Sequence, residues 1–251
     1  MSHSLTQSEV LDIATSIAFY ILTNGGEISR VEDTAERIGK AYGMDSVHAF
    51  AISSTIVLSV EKDGVSLSQT RRVKEVTTNL HKVEKYNALS RKICETLPSY
   101  EEIVDELNEI KNISPYSTPI SLFAFALIGG AFSVFFGGGL YEFIAGFLIG
   151  IILKLVLLTA NYLQSPPFFV NVAGAAATVT LTHIATLLYA GLNTEIVNIG
   201  VLMNLVPGVL LTNCIRDFVA TDYVAGMAKI TEAVLIALAI ALGVAVSVFW
   251  R

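Results

Sequence analysis

The chain has 251 residues, of which 15% are charged, and its formal net charge is −6. This acidic balance offers no basic patch of the kind that a nucleic-acid-binding surface needs. The charges are also unevenly placed, because residues 1–117 hold 12 Lys and Arg and 17 Asp and Glu, whereas residues 118–251 hold four and five. A water-soluble domain could not cover its surface with so few charges, so the second half is predicted to have lipid as its solvent.

Residues 1–114 are predicted to form a soluble α+β domain on the cytoplasmic side, since no export signal precedes them. Three helix starts carry a capping box, in which a hydroxyl and a carboxylate three residues later each accept a backbone N–H. These starts are Thr6, Ser29 and Ser99. The predicted helices end near Leu22, Gly43, residue 96 and residue 111, and they flank a β-hairpin of 47–61 and 65–72 turned at Asp63-Gly64.

A glycine pair lies before the second helix, in Asn24-Gly25-Gly26-Glu27. A helix N-terminus can bind an anion, which makes an enzymatic site at Gly25-Gly26 one hypothesis. However, the pair follows a helix, whereas phosphate loops follow a strand. We therefore expect no enzymatic activity, no cofactor and no metal.

The second half, residues 115–251, is predicted to be a bundle of about five transmembrane helices. Each apolar segment is close to the roughly 20 residues that the hydrocarbon core requires. The predicted spans are 118–136, 140–160, 169–190, 195–214 and 226–249. The joints 137–139 and 191–194 carry no Lys or Arg and are predicted to lie outside, whereas Arg216 lies in an inner joint.

The predicted fourth span is interrupted at Asn204-Leu205-Val206-Pro207-Gly208. Proline removes a backbone donor and clashes with the preceding turn, and transporters use such interrupted helices to place backbone groups near mid-membrane. The half-helix that begins near Pro207 would direct its positive N-terminal dipole at an anionic group such as a carboxylate. A kink that serves packing alone is the structural alternative.

Ionisable and polar residues inside the spans are candidates for the transport pathway, because a charge at the bilayer centre is costly. Lys154 is the strongest candidate, with snorkelling to the interface as its alternative. Glu142 and His183 are candidate gating or ion-coupling residues. One face of the third span carries Asn171, Thr178 and Thr182, which either line a pathway or form interhelical hydrogen bonds.

The ends of the last two predicted spans carry a group of charged residues. Asp217 and Asp222 follow Arg216, and Lys229 with Glu232 has the i,i+3 spacing of an ion pair. These residues form either a structural salt-bridge cluster or a gate at the inner mouth.

Two stretches of this sequence resemble the threonine/serine exporter family, in the form of the N-terminal-half subunit of two-component bacterial exporters. One stretch is 24–32 with its helix to Gly43, and the other comprises Val206-Pro207-Gly208, Asn213, Asp217, Asp222, Gly226 and Glu232. The resemblance implies that a second small membrane protein, similar to the C-terminal half of fused exporters, completes a hetero-oligomer in the bacterial inner membrane. It also implies succinate or another dicarboxylate, or threonine and serine, as the substrate.

The leading hypothesis is a secondary exporter subunit for a small carboxylate metabolite. Backbone N–H groups near Val209, together with Asn204, would bind the carboxylate, and Lys154 or Arg216 would supply positive charge. For a zwitterionic substrate, an acid such as Glu142 would bind the ammonium group. The alternative is a membrane-anchored regulatory or assembly subunit that has no transport pathway of its own.

Overall fold

The computed structural model describes residues 5–114 and 116–249, which form two compact units. The first unit comprises residues 5–114 together with Thr212–Lys229. The second comprises residues 116–211 together with residues 230–249. The segment Thr212–Lys229 therefore packs with residues 5–114; the division into a soluble domain of 1–114 and a membrane domain of 115–251 stays a prediction.

Four helices of the first unit lie where the sequence predicts them. They are α1 Gln7–Thr23, α2 Ile28–Ala41, α3 Leu80–Thr96 and α4 Tyr100–Lys111. The capping boxes predicted at Thr6 and Ser99 are confirmed, because each hydroxyl accepts the N–H of the third helical residue and the carboxylate of that residue bonds back. These local signals are reliable because both partners lie within one turn of the chain.

The capping box predicted at Ser29 is wrong. Helix α2 begins at Ile28 after Glu27, and no side chain caps it. The carboxylate of Glu32 accepts the backbone N–H of Ala51 on the sheet at 2.8 Å and is therefore not available to cap the helix. A tertiary contact has replaced the local one.

The sheet has three antiparallel strands in the order β1-β2-β3, where the sequence predicts a hairpin of two. The strands are β1 Ser46–Ile52, β2 Thr55–Lys62 and β3 Val65–Arg72. The predicted strand 47–61 is thus two strands, which turn at Ser53-Ser54 with Ile52 paired to Thr55. Alternate residues on one face of β1 and β2 are buried in a core shared with α1 and α2, as the period of two requires; they include Val47, Ile56, Leu58 and Val60.

The second unit is helical. Its helices α5 Thr118–Phe135, α6 Leu140–Tyr162, α7 Pro167–Leu188 and α8 Thr194–Leu202 are followed by α9 Gly208–Val219 and α10 Tyr223–Phe249, which both run across the division between the units. Among the described residues, four helices are long and apolar enough to cross a membrane, namely α5, α6, α7 and α10. The predicted fourth span, 195–214, is not one helix but the end-to-end pair α8 and α9, so a count of five spans is not confirmed.

The helices of the second unit approach one another through glycines. A Cβ atom added to Gly146 would lie 2.6 Å from the carbonyl oxygen of Gly129, and one added to Gly150 would lie 2.5 Å from that of Phe125. On α8, a Cβ at Gly200 would lie 2.3 Å from the hydroxyl of Ser133. Helices α5, α6 and α8 are therefore in backbone contact, the packing that small residues permit in lipid.

Candidate functional site

The predicted interruption between α8 and α9 is confirmed. Past Leu202 the backbone N–H groups of Asn204 and Leu205 donate three residues back, to Val201 at 3.1 Å and Leu202 at 2.8 Å. Pro207 has no N–H to continue the ladder, and a new helix starts at Gly208. At the start of this new helix, the N–H of Gly208 donates to the carbonyl oxygen of Val206 at 2.9 Å and that of Leu211 to the carbonyl oxygen of Pro207 at 3.0 Å.

Pro207 also lines an apolar groove of about 400 Å³ in the second unit. The remaining lining comes from both sides of the interruption and from α10, and comprises Val206, Leu211, Ala233, Val234, Ala237, Ile240 and Ala241. The interruption is therefore flanked by space and is not tightly packed against α10.

Asn204 is the polar side chain at this interruption. Its amide nitrogen donates to the carbonyl oxygens of Phe125 at 3.3 Å and of Val201 at 3.1 Å. Its amide oxygen is buried and has no hydrogen-bond partner among the described residues. A buried acceptor without a donor is destabilising, so this oxygen is available to a ligand that carries an N–H or O–H.

Lys154 on α6 contacts Phe125 of α5, the residue whose carbonyl oxygen accepts from Asn204. Its ammonium nitrogen lies 4.5 Å from the ring centroid of Phe125, in a cation–π contact. The ion pairs formed by the described residues do not include Lys154. Phe125 thus joins the two strongest polar candidates of the bundle, with its ring against Lys154 and its carbonyl oxygen against Asn204.

The polar side chains on one face of α7, those of Asn171, Thr178 and Thr182, donate hydrogen bonds to the backbone of their own helix. Thr178 donates to the carbonyl oxygen of Gly174 and Thr182 to that of Thr178, each at 2.9 Å, and both threonines are buried. Asn171 donates to Pro167 at 3.0 Å, and His183 is partly buried beside this face. The interhelical hydrogen bonds considered for these residues are replaced by bonds four residues back, which leave only lone pairs for a ligand.

Glu142 joins two of the bundle's connections. One carboxylate oxygen accepts the N–H of Gly139 at 2.7 Å, and the other accepts that of Asn193 at 3.0 Å. Beside it, the rings of Tyr141 and Tyr189 stack with centroids 4.6 Å apart. The α5–α6 and α7–α8 connections therefore lie at the same end of the bundle, and both carboxylate oxygens of Glu142 are occupied.

The first unit contains a second group of predicted residues. Arg216 on α9 forms an ion pair with Glu27, the residue before α2. Asp217 and Lys229 form a buried ion pair of 2.6 Å, with 2% and 8% of each residue exposed. The sequence-based pairing of Lys229 with Glu232 is wrong. Lys229 pairs instead with Asp217 across the α9–α10 turn, where both charged groups are buried, whereas Glu232 is exposed.

The α9–α10 turn is closed by Asp222, whose carboxylate accepts the N–H of Ala225 at 3.2 Å. Ala225 is fully buried in the core of the first unit, and Asn213 is partly buried. Among the described residues, no three His, Cys, Asp or Glu side chains form a metal-binding group.

Sequence reasoning missed Glu27, Glu32 and Phe125 as members of these two groups. Burial raises the pKa of Glu32 above its ordinary value; the Ala51 N–H opposes that rise, and the nearby Asp222 and Glu36 add to it. Glu27 and Glu32 both belong to the 24–32 stretch, which was the available signal. Phe125 gave none, because an aromatic residue in an apolar span is unremarkable by itself.

Comparison with known proteins decides the family. The ThrE family model, described as "Putative threonine/serine exporter", matches residues 12–249. The chain belongs to the threonine/serine exporter family. It is therefore a multi-pass membrane protein of an exporter family and not an enzyme.

The relatives of this family member are of two lengths. The chain is 27% identical to the "Probable succinate transporter subunit YjjP" of Klebsiella aerogenes and of Escherichia coli, across 95% of its own length and 92% and 93% of theirs. It is also 27% identical to the "Threonine/serine exporter" of Corynebacterium glutamicum, but covers only 50% of that protein. No solved structure matches the chain significantly.

Proposed function

We propose that this exporter is one subunit of a secondary transporter that moves a small carboxylate metabolite outward, and that Lys154 binds the carboxylate. The observation that carries the proposal is the convergence of Lys154 and Asn204 on Phe125, beside the α8–α9 interruption. A cation in an apolar bundle is costly unless it faces protein, water or a ligand. Lys154 has a ring as its neighbour, and an anionic substrate would supply the missing counter-charge.

Arg216, the other candidate for binding the substrate carboxylate, and Glu142, the candidate for binding a substrate ammonium group, already have partners. Arg216 is paired with Glu27, and both carboxylate oxygens of Glu142 accept backbone N–H groups. A dicarboxylate would place one carboxylate at Lys154 and the other at backbone N–H groups near Val209. An amino acid such as threonine or serine would instead donate its ammonium hydrogens to the amide oxygen of Asn204.

The second subunit and the orientation are parts of the same proposal. The chain matches nearly the whole of each YjjP protein, which is named a subunit, and half of the longer exporter. We therefore expect a second small membrane protein to supply the rest of the pathway. We count α8 and α9 as one crossing of the inner membrane and expect the N-terminal domain to lie in the cytoplasm. The α5–α6 and α7–α8 connections, which Glu142 bridges, carry no Lys or Arg and would then lie outside.

Reconstitution tests the proposal. Vesicles loaded with labelled succinate or labelled threonine would receive this chain, its second subunit, or both, and efflux would be measured. We expect efflux of one of the two substrates only when both proteins are present. If the second subunit alone gave the same efflux as both proteins together, the regulatory alternative would be favoured. The absence of efflux with both proteins would contradict the exporter hypothesis.

A further inference from the structure

We propose that Glu27 is a positioning residue through which the N-terminal domain holds the second half of the interrupted helix. It holds α9 by its ion pair with Arg216. The consequence for efflux rests on the proposed function. The contact itself is a property of the first unit.

The turn that carries Glu27 is fixed by its backbone. Gly25 has a φ of +90°, a conformation that side chains disfavour, and a Cβ on Gly26 would lie 2.3 Å from Ile21. The preceding residues, Thr23 and Asn24, accept the N–H groups of Thr77 and Asn79 at 2.8 and 3.0 Å. Glu27 therefore leaves a turn that has little freedom to move.

Glu27 does not cap its own helix but pairs with Arg216. It occupies the N-cap position of α2, yet its carboxylate makes no capping bond. The carboxylate turns instead to Arg216, 189 residues away along the chain, with Arg30 at 4.0 Å on its other side. Natural sequences depart from local consistency mainly where function demands it.

Arg216 belongs to a segment that is itself held together. The Asp217–Lys229 pair joins α9 to α10, and the thiol of Cys214 donates to the carbonyl oxygen of Gly226 at 3.3 Å. A displacement of Arg216 would therefore move the α9–α10 turn as a unit. Arg216 lies on α9, the helix that follows Pro207 in the chain.

One repulsive interaction accompanies this attractive one. Burial and, after it, the charge of Asp222, the residue before α10, raise the pKa of Glu32 on α2, so these two carboxylates repel each other. The Glu27–Arg216 pair favours holding α9, and the Glu32–Asp222 repulsion opposes it. The side chains of Glu27 and Arg216 are 20% and 50% exposed, so charge exchange between them needs no repacking of the core.

Charge exchange tests the proposal in the full chain with its second subunit. The variants are Glu27→Arg, Arg216→Glu and the double exchange, and the control is Asp33→Arg, which disrupts an α2 surface pair with Arg37 and leaves Arg216 untouched. We expect each single reversal to lower the maximal efflux rate at least about fivefold. The double exchange should return within about twofold of the wild type, and the control should match it.

Hydrogen exchange of residues 212–222 gives a readout that needs no transport. The two single reversals should speed exchange in this segment, and the double exchange should restore it. Unchanged exchange in both single variants would overturn the proposal, even if the wild type exports nothing. If both single variants and the double exchange lose efflux alike while exchange is normal, Arg216 acts alone and the positioning role of Glu27 is wrong.

Discussion

The two units of this chain differ in how several of their polar side chains are satisfied. In the first unit, two ion pairs join different elements, Arg216 with Glu27 and Lys229 with Asp217. In the second unit the hydroxyls of Ser133, Thr178 and Thr182 donate to carbonyl oxygens four residues back on their own helices. All three residues are buried, and a buried hydroxyl needs a hydrogen-bond partner, which the backbone of its own helix supplies here.

This difference makes the exceptions informative. Lys154 and the amide oxygen of Asn204 have no such internal partner among the described residues of the second unit. In the first unit an unpaired surface charge would be ordinary because water would solvate it. In the bundle the same observation indicates a site, and this is the reason for placing the substrate there.

Removal of one member of the buried ion pair should have the largest effect on stability. We expect Asp217→Ala to cost about 3–5 kcal/mol, because it leaves the ammonium group of Lys229 buried without a counter-charge. Denaturant titration in detergent, followed by circular dichroism, measures this. The double variant Asp217→Ala with Lys229→Ala should recover part of the loss, and a single variant as stable as the wild type would contradict the pairing.

A side chain at the closest helix contact should have the next largest effect. Gly146→Val places a Cβ 2.6 Å from both the Gly129 carbonyl oxygen and the Ser133 hydroxyl, so α5 and α6 must separate at a cost of about 1–3 kcal/mol. The same titration serves here. The control is Gly208→Ala, where a Cβ meets no atom within 4 Å; equal stability of the two variants would refute backbone contact between these helices.

Loss of a hydroxyl inside the bundle should matter much less. Thr178→Val keeps the shape of a buried side chain and removes a bond to its own helix, so we expect a loss of about 0.6 kcal/mol. A loss as large as that of Asp217→Ala would show that the hydroxyl has a partner outside α7. In that case the contrast between the two units would fail at this residue.

The smallest effect concerns Glu32 and pH. Burial and Asp222 raise the pKa of Glu32 above its ordinary value of 4.5, so its ionised form is disfavoured in the folded unit and the penalty is fully present above the raised pKa. Glu32→Gln keeps an acceptor for Ala51 and should be slightly more stable above that pKa. The gain should vanish as pH falls through the raised pKa toward 4.5.

Thermal unfolding at several pH values measures this gain, with Glu101→Gln on the exposed face of α4 as the matched control. A gain in the Glu32 variant that does not depend on pH would show that Glu32 does not titrate in this range.

Much of the fold could be predicted because its signals are local. The capping boxes at Thr6 and Ser99 and the interruption at Pro207 each depend on residues within one turn of the chain. The turn at Ser53-Ser54 was missed because serine favours turns only weakly, although a strand of 47–61 would have been unusually long. The capping box expected at Ser29 does not form because the carboxylate of Glu32 accepts the N–H of Ala51 on the sheet instead.

The two residue groups could be predicted only in part. Lys154, Asn204 and Asp217 stand out in the sequence because polar residues are rare in the second half. Their partners do not, since Phe125 is one aromatic residue among many and Glu27 lies 189 residues from Arg216. Charge and spacing identify candidates, whereas the pairing depends on tertiary structure.

The most direct test of the central claim is efflux by Lys154 variants. Vesicles that contain both subunits and labelled substrate would carry wild type, Lys154→Arg, Lys154→Met or the exposed-lysine control Lys40→Met. We predict that Lys154→Met abolishes efflux, that Lys154→Arg retains part of it because the charge remains, and that Lys40→Met equals the wild type. Wild-type efflux by folded Lys154→Met would contradict the claim that this ammonium group binds the substrate carboxylate.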